Sequence, residues 1–331
     1  MGPGNLSQTV WKRSVLNQMK TESEQALLPF LMAEPCSAVK VGEETLVTAQ
    51  ADLWDESEQI GVYAIIKAIN DLLVRGAKLQ YVQVSFTFPM SIKESVIIRM
   101  MDGVKIFCRE HDIALVGMKA QVQSGVILKG VHVAASGMLV REELLFFQNV
   151  LPGQEIILCG SLALEGMERM VDSCEKELKE RFIPAFLQQM KGLRKELLQE
   201  KATMAAWGYV TAMRQIGNGG IWAELWSIAE MAKTGLKVEL SQMTLCQETI
   251  EVCEYYRRNP YQMTSTGAIL MITEQGEALM NILREQGVRA SRLGVLEEGN
   301  KKIVLNGEEV RYLDRPAPDE LGLWQEERLQ K

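Results

Sequence analysis

A cluster of glycines that opens an apolar segment is the feature that most constrains this chain. Three glycines lie within residues 217–220, and the stretch 221–226, apolar except for Glu224, follows them directly. Glycine lets a backbone bend sharply and approach a ligand closely, and the free N–H groups at a helix start suit a phosphate or another anion. The pattern is equally typical of a tight turn under a core helix. No carboxylate lies within residues 214–220 to hold a metal there.

Composition narrows the class of protein. The chain has 331 residues, enough for two domains with sizeable cores. Its net charge of −7 argues against nucleic-acid binding, which needs a basic surface. No apolar run approaches the roughly 20 residues that cross a bilayer, so we expect no membrane association and a cytoplasmic location. The six cysteines form no C-x-x-C pair, and the two histidines leave little room for histidine-dependent catalysis.

Hydrophobic periodicity divides the chain into alternating strands and helices. In the first half it predicts helices at 8–20, 60–75 and 92–111, and strands at 45–50, 79–88, 113–117 and 130–140. In the second half it predicts strands at 155–160, 237–240, 268–273 and 290–297, helices at 166–182, 185–206, 221–233, 247–257 and 274–286, and a hairpin that joins 301–305 to 308–312. The charged tail after Pro318 is expected to lie on the surface. Turn chemistry at residues 151–154 divides the chain into domains 1–150 and 151–331.

Several short segments occur in a characteristic order. They are Asp52-Leu53-Trp54-Asp55, the stretch from Asn70-Asp71 to Arg75-Gly76-Ala77, the stretch 116–122, the glycine cluster, the stretch 264–270 and Asp319-Glu320-Leu321. This order resembles the aminoimidazole-ribonucleotide (AIR) synthase-related superfamily over nearly the whole chain. The similarity is closest to its HypE-like members, which include hydrogenase maturation factors.

The resemblance implies a fold and a chemistry. The fold is α/β (α+β) with two PurM-like domains, of which the N-terminal one dimerises through its sheet and the C-terminal one is an α+β sandwich. ATP and Mg²⁺ are held by acidic residues near the dimer interface, and an ATP-derived phosphoryl group activates a carbonyl or amide oxygen. Magnesium prefers carboxylate and phosphate oxygens, so the loss of acids at such a site damages function directly.

The resemblance also locates the acids of that site. Two remain, Asp52 and Asp71, and these are the predicted metal ligands. At another acidic position the chain has Cys36 or Pro35, and Glu34 beside them is a partial compensation.

Three further acidic positions hold amides. Gln121 stands at one of them, Gln215 replaces an aspartate and Asn218 replaces a glutamate. The predicted cofactor-binding set is Asp52, Asn70, Asp71, Gly117, Lys119, Gln121, Arg214, Gln215, Asn218, Gly219 and Gly220. Carboxylates crowded in one pocket repel each other without a metal, so losing them fits a site that no longer uses one. We hypothesise a degenerate site: a pseudoenzyme that retains the fold.

Three functions remain open. The first is a regulatory homodimer that binds a nucleotide, a small anion or partner proteins. The second is an active ATP-dependent enzyme that uses Asp52, Asp71, Glu34 and Glu224, with Lys119 in place of a metal. The third is a metal-free module for an anionic metabolite, anchored by Lys119 and Arg214. These two cations are equally compatible with ordinary solvated or salt-bridged side chains.

Overall fold

The structure is a computed structural model that describes residue 4 and residues 6–19, 25–28 and 34–330. The elements of its first half are α1 (Gln8–Trp11), a π-helix (Lys12–Leu16), β1 (Cys36–Val41), β2 (Glu44–Asp55), α2 (Ile60–Leu73), β3 (Ala77–Pro89), α3 (Glu94–Glu110), β4 (Leu115–Gln123) and β5 (Lys129–Leu139). Its strands form one sheet in the order β1-β2-β5-β3-β4. The predicted helix at 8–20 is therefore short and continues as a π-helix, and residue 20 lies outside the described part.

Alternation of side chains gives this sheet one buried and one open face. Along β2 the odd-numbered residues from Val47 to Asp55 are buried, whereas Gln50, Asp52 and Trp54 are exposed. The helix α2 is mostly apolar, and all of its residues except Lys67 are buried. It packs on the buried face together with α3, whereas Gln50, Asp52 and Trp54 lie on the other face. We call that second surface the open face.

The second half contains a larger sheet. Its elements are β6 (Glu155–Cys159), α4 (Leu164–Arg181), α5 (Pro184–Gly192), α6 (Glu200–Ala206), β7 (Ala212–Gln215), α7 (Gly220–Ala232), β8 (Gly235–Glu239), α8 (Gln247–Tyr256), β9 (Ile269–Thr273), α9 (Gly276–Glu285), β10 (Ala290–Glu297), β11 (Lys302–Asn306), β12 (Glu309–Tyr312) and α10 (Glu320–Leu329). The described strands are ordered β12-β11-β8-β10-β6-β9-β7. Helices cover both faces, with α4 and α9 on one and α7 on the other.

One apolar core joins the two halves. Residues of α2, such as Ile65 and Ile69, share a buried cluster with Met167 and Met170 of α4. The α/β fold with two sheets is thus confirmed, and the two sheets meet over a common interior. None of the described helices has both the length and the apolar character needed to cross a membrane.

Several predicted elements were wrong or missing. The strands β1 and β7 were not predicted, because β1 alternates small side chains and β7 is a short run that is buried throughout. The predicted helix at 185–206 is broken into α5, a 3-10 turn at Leu193–Glu196 and α6. The charged tail after Pro318 lies on the surface in part, with Glu326, Glu327 and Gln330 exposed. It forms α10, whose Leu321 and Trp324 are buried.

Candidate functional site

Three positions at which the resemblance places acids converge between the two halves. The strand β1 supplies Cys36, the last turn of α2 supplies Asp71, and β7 supplies Gln215. The thiol of Cys36 donates to the backbone carbonyl of Asp71 at 3.2 Å, and the amide Nε2 of Gln215 donates to Asp71 Oδ1 at 2.8 Å. We call these three residues with Asn70 the Asp71 centre. Only one of the three positions retains a carboxylate.

The amide of Gln215 is fully engaged. Its Nε2 also donates to the backbone carbonyl of Lys67 at 3.1 Å. Its Oε1 accepts from Asn70 Nδ2 at 2.9 Å and from the backbone N–H of Gly267 at 3.3 Å. A carboxylate could not donate the two bonds from Nε2, so this network is specific to an amide.

Asn70 adds a second tie between the halves. Its Nδ2 donates to the Leu197 carbonyl at 2.8 Å, and its Oδ1 accepts from the Gln199 backbone N–H at 3.1 Å. The residue is completely buried. The predicted pair Asn70-Asp71 therefore fastens α2 to the second half.

Burial controls the protonation of the Asp71 centre. It raises the pKa of Asp71, while the charge of Lys67 and the hydrogen bond from Gln215 oppose the rise. It also raises the pKa of the Cys36 thiol well above its ordinary value, helped by the negative charge of Glu34. Oδ2 of Asp71 is buried without a hydrogen-bond partner in the described part of the chain. Cys36 is therefore a neutral thiol, and Asp71 has one unused oxygen.

An internal ion cluster lies beside this centre. Glu34 pairs with Arg75 at 2.7 Å and with Arg214 at 3.1 Å, and Arg214 also pairs with Glu224. Although burial opposes ionisation of Glu34, the two arginines outweigh it and lower its pKa. Burial raises the pKa of Glu224 despite the charge of Arg214. The Arg214 side chain is only 5% exposed. Its guanidinium is thus a partner of internal acids rather than an accessible anchor for an anion.

A different group of predicted residues lies on the open face. Pairing between strands aligns Asp52, His132, Ser85 and Lys119 in one row across β2, β5, β3 and β4. Asp52 is 67% exposed and contacts His132 Nδ1 at 2.9 Å. In this structure Asp52 and Asp71 lie on opposite sides of the sheet, because Asp71 belongs to the helix on the buried face.

Two more predicted residues flank that row. Gln121 on β4 is exposed and donates to the Thr87 hydroxyl at 3.4 Å. Gly117 pairs with Gln83 on β3, next to the row. Apart from Arg214 and the glycine turn, the predicted set therefore separates into the Asp71 centre and the open face.

The glycine turn contacts a carboxylate side chain of the same protein. Gly219 and Gly220 have φ values of +85° and +67°, which favour glycine, and Asn218 beside them is exposed. The backbone N–H of Gly219 donates to Asp319 Oδ2 at 2.8 Å. The other oxygen of Asp319 caps α10 by accepting from Leu321 and Gly322. The donor that suits an external anion is thus used by an internal carboxylate.

Two further polar contacts join the halves. Arg169 of α4 pairs with Asp55 at 2.7 Å and with Glu165 at 2.9 Å. The hydroxyl of Tyr63 donates to Asp172 at 2.7 Å, and Arg194 pairs with the same carboxylate at 2.8 Å.

Glu168 belongs to the Tyr63 contact. Arg194 lies 3.2 Å from it, and burial raises its pKa to about 7 against the opposing charge of Arg194. Sequence reasoning missed this contact. The only available signal was the spacing of Glu165, Arg169, Glu168 and Asp172 on one helix, which does not reveal the partners on α2.

The described side chains do not form a cluster of acids that could coordinate a metal ion. Within the described ranges, no three His, Cys, Asp or Glu side chains are grouped as a metal site. The residues that surround Asp71 are a neutral thiol, an amide and a lysine.

Comparisons with known proteins give the family. Residues 31–138 match the N-terminal domain of the AIR synthase related proteins, and residues 152–306 match the C-terminal domain. A hydrogenase expression/formation protein of Methanocaldococcus jannaschii is 21% identical over 315 residues, which cover 91% of each chain.

Two solved structures share the fold. HypE, a hydrogenase maturation protein solved in complex with ATP, superposes with a TM-score of 0.68 and 15% identity over 96% of this chain and 94% of its own. AaThiL complexed with AMPPCP and TMP superposes with a TM-score of 0.71 and 16% identity over 95% and 96%. The two sheets, their order along the chain and the matches to both domains lead to one conclusion: this chain belongs to the AIR synthase-related protein family.

Proposed function

We propose that this chain is a HypE-like family member whose Mg–ATP chemistry is weak or lost, and that it acts as a regulatory homodimer that binds a nucleotide or another anion. One observation carries the proposal. At the Asp71 centre, Cys36 and Gln215 stand where the resemblance places acids, and both are hydrogen-bonded to Asp71. The residues at the positions expected to bind a metal are instead hydrogen-bonded to one another.

The donor chemistry does not fit magnesium. Magnesium prefers charged oxygen ligands and octahedral geometry. The Asp71 centre offers one carboxylate, whose pKa is raised by burial, and a thiol whose pKa is raised well above its ordinary value. The amide of Gln215 supplies oxygen without charge, and that oxygen already accepts two hydrogen bonds. The side chains of the Asp71 centre therefore do not form a magnesium site.

The open face is the proposed surface for the anion and for the second subunit. Lys119 is exposed there, in line with His132 and Asp52. The open face also exposes Trp54 of β2, on the same side of the strand as Asp52. Exposed apolar groups that border a polar surface are typical of an interface between proteins. HypE and AaThiL were solved with ATP and AMPPCP, and by analogy nucleotide binding belongs to this proposal.

A second candidate is an active ATP-dependent enzyme that phosphorylates or activates a carbonyl or amide oxygen. The unpartnered Oδ2 of Asp71 is the observation that favours it, because a buried carboxylate oxygen without a donor is open to a cation. This candidate requires that Asp71 contribute to ATP turnover.

Calorimetric titration with ATP, with and without Mg²⁺, separates the candidates. We expect ATP affinity to be unchanged by Mg²⁺, and we expect ATP hydrolysis at the background rate. Asp71→Asn is the test variant, and Asp112→Asn, on an exposed turn after α3, is its matched control. Mg²⁺-dependent hydrolysis that Asp71→Asn abolishes and Asp112→Asn retains would establish the second candidate.

A further inference from the structure

Residues 193–199, which join α5 to α6, lie against the Asp71 centre. The Asn70 side chain is hydrogen-bonded to the Leu197 carbonyl at 2.8 Å and to the Gln199 backbone N–H at 3.1 Å. A Cβ on Gly267 would come within 2.8 Å of the Leu197 backbone, so these two segments are in close contact. We call residues 193–199 the connector. It covers one side of the Asp71 centre, to which Asn70 belongs.

A second attachment holds the other end of the connector. Nη2 of Arg194 contacts the two oxygens of Asp172 at 2.8 and 2.9 Å, and it contacts Oε2 of Glu168 at 3.2 Å. The guanidinium also lies over the Tyr63 ring, 5.1 Å from the ring centroid. Arg194 therefore fixes the connector to α4 through two carboxylates and to α2 through one aromatic ring.

These two carboxylates have few donors for a pair of buried charges. Glu168 and Asp172 are four residues apart in α4, so their side chains are neighbours on one face of the helix. The Tyr63 hydroxyl has a single hydrogen, and it lies 2.7 Å from Asp172 but 3.5 Å from Glu168. Oε1 of Glu168 is buried and has no hydrogen-bond partner in the described part of the chain. Two carboxylates that share a site repel each other, which favours a proton on one of them.

The surroundings of Glu168 determine which conformation its ionised form prefers. The charged and titratable groups that face it are Arg194 on the connector, Tyr63 on α2 and Asp172 on its own helix. Burial is the largest influence and outweighs the charge of Arg194, so the pKa of Glu168 rises to about 7. Because burial dominates, the ionised carboxylate is more stable in a conformation that admits water to it.

We propose that Glu168 and Asp172 share one proton while the connector is closed, and that loss of this proton to the solvent lifts the connector from α2 and exposes the Asp71 centre to water. The connector is then a cover that is closed at acidic pH and opens as the pH rises through neutrality. This movement does not require a nucleotide or a metal ion, so the inference is independent of the proposed function.

The experiment is hydrogen exchange of the connector, measured by mass spectrometry between pH 6 and pH 8. The reporters are the backbone N–H groups of Leu197 and Gln199, which are hydrogen-bonded when the connector is closed. After correction for the intrinsic pH dependence of exchange, we expect their protection to fall about tenfold over this range in the wild-type protein. Glu168→Gln has a permanently neutral side chain and should retain the protection. Glu180→Gln, at an exposed position of α4, should behave like the wild-type protein.

Low concentrations of urea distinguish a local opening from global unfolding. A local opening exposes little surface, so connector exchange should not respond to urea, whereas exchange in the buried strand β6 should accelerate. Connector exchange that follows β6 in urea overturns the inference. Protection that does not change between pH 6 and pH 8, or a fall that persists in Glu168→Gln, also overturns it.

Asp172→Asn decides the question if Glu168→Gln does not fold. It removes the negative charge beside Glu168, so the fall in protection should move to lower pH. A fall that stays at the wild-type pH overturns the inference.

Discussion

The Gln215 side chain donates a 2.8 Å hydrogen bond to Asp71 Oδ1 across the junction of the two sheets. The bond is buried, and the same amide serves Lys67, Asn70 and Gly267. It therefore has a structural consequence that does not depend on any ligand.

Removing this amide should destabilise the protein. We expect Gln215→Leu to lower the free energy of unfolding by about 2–3 kcal/mol, because it leaves several buried polar groups without partners. Gln121→Leu is the matched control. It changes an exposed amide on the open face, and it should change the free energy of unfolding by less than about 0.5 kcal/mol. Equal effects in urea denaturation would contradict the role assigned to Gln215.

The ion cluster around Glu34 gives a second prediction. Arg75→Met leaves a buried carboxylate with one fewer counter-charge and should cost about 3–5 kcal/mol of stability. The control is Arg99→Met, which breaks the pair with Glu58 where the arginine is 55% exposed. An exposed pair is worth only about 0–1 kcal/mol. Similar losses in both variants, measured by chemical denaturation, would refute the importance of the buried cluster.

Glu168 should make stability depend on pH. Its pKa is raised from 4.5 to about 7 in the folded protein, so between these pH values the folded state binds more protons than the unfolded state. Its contribution to stability is therefore complete at low pH and declines as pH rises through this window, by up to about 3 kcal/mol. We expect the decline to be absent in Glu168→Gln.

The control for Glu168 is Glu180→Gln, at an exposed position of the same helix. It should retain the wild-type decline when the free energy of unfolding is measured from pH 5 to pH 8. A decline that persists unchanged in Glu168→Gln would assign the titration to another group.

The proposed dimer gives a fourth prediction. Ala134 faces the open side of β5, between Gln50 and Gln83. Light scattering after size exclusion should give a dimer for the wild-type protein and a monomer for Ala134→Arg, because an arginine there obstructs a second sheet. Ile106→Arg places the same side chain on an exposed part of α3 and should remain dimeric. A dimeric Ala134→Arg would exclude the open face as the interface.

Asp319 accepts hydrogen bonds from backbone N–H groups at the starts of α7 and α10, and this gives the fifth prediction. Asp319→Ala removes the cap of α10 and the partner of the Gly219 N–H, and we expect a loss of about 1–2 kcal/mol. Asp314→Ala changes an exposed carboxylate a few residues earlier and should be close to neutral. Thermal unfolding of both variants measures the difference.

Side-chain periodicity and turn residues correctly predicted the elements whose sequences carry a clear local signal. The long apolar helix α2 and the alternating strand β3 follow from side-chain periodicity, and the hairpin of β11 and β12 follows from Asn306-Gly307. The strand β7 could not be found in this way. Its four residues are all buried, so they show no alternation, and the glycines after it suggested a turn that began too early.

The site was harder to predict because its contacts join distant segments. The resemblance marked Cys36, Asp71 and Gln215 as positions of interest, and the structure brings these three together. The resemblance could not reveal that Arg214 pairs with both Glu34 and Glu224, since these acids lie far apart in sequence. Nor could it show that Lys67 faces the glycine turn, because that contact depends on how the two sheets meet.

The hydrogen bonds of Gln215 also limit which side chains position 215 can carry. An aspartate or glutamate at this position would lose both donated bonds and place a second negative charge beside Asp71. A single change from Gln215 to an acidic residue would therefore destabilise the folded protein. The amide therefore stabilises the junction only as an amide, and a carboxylate at position 215 would need a new donor for Asp71 Oδ1 and a new partner for the Lys67 carbonyl.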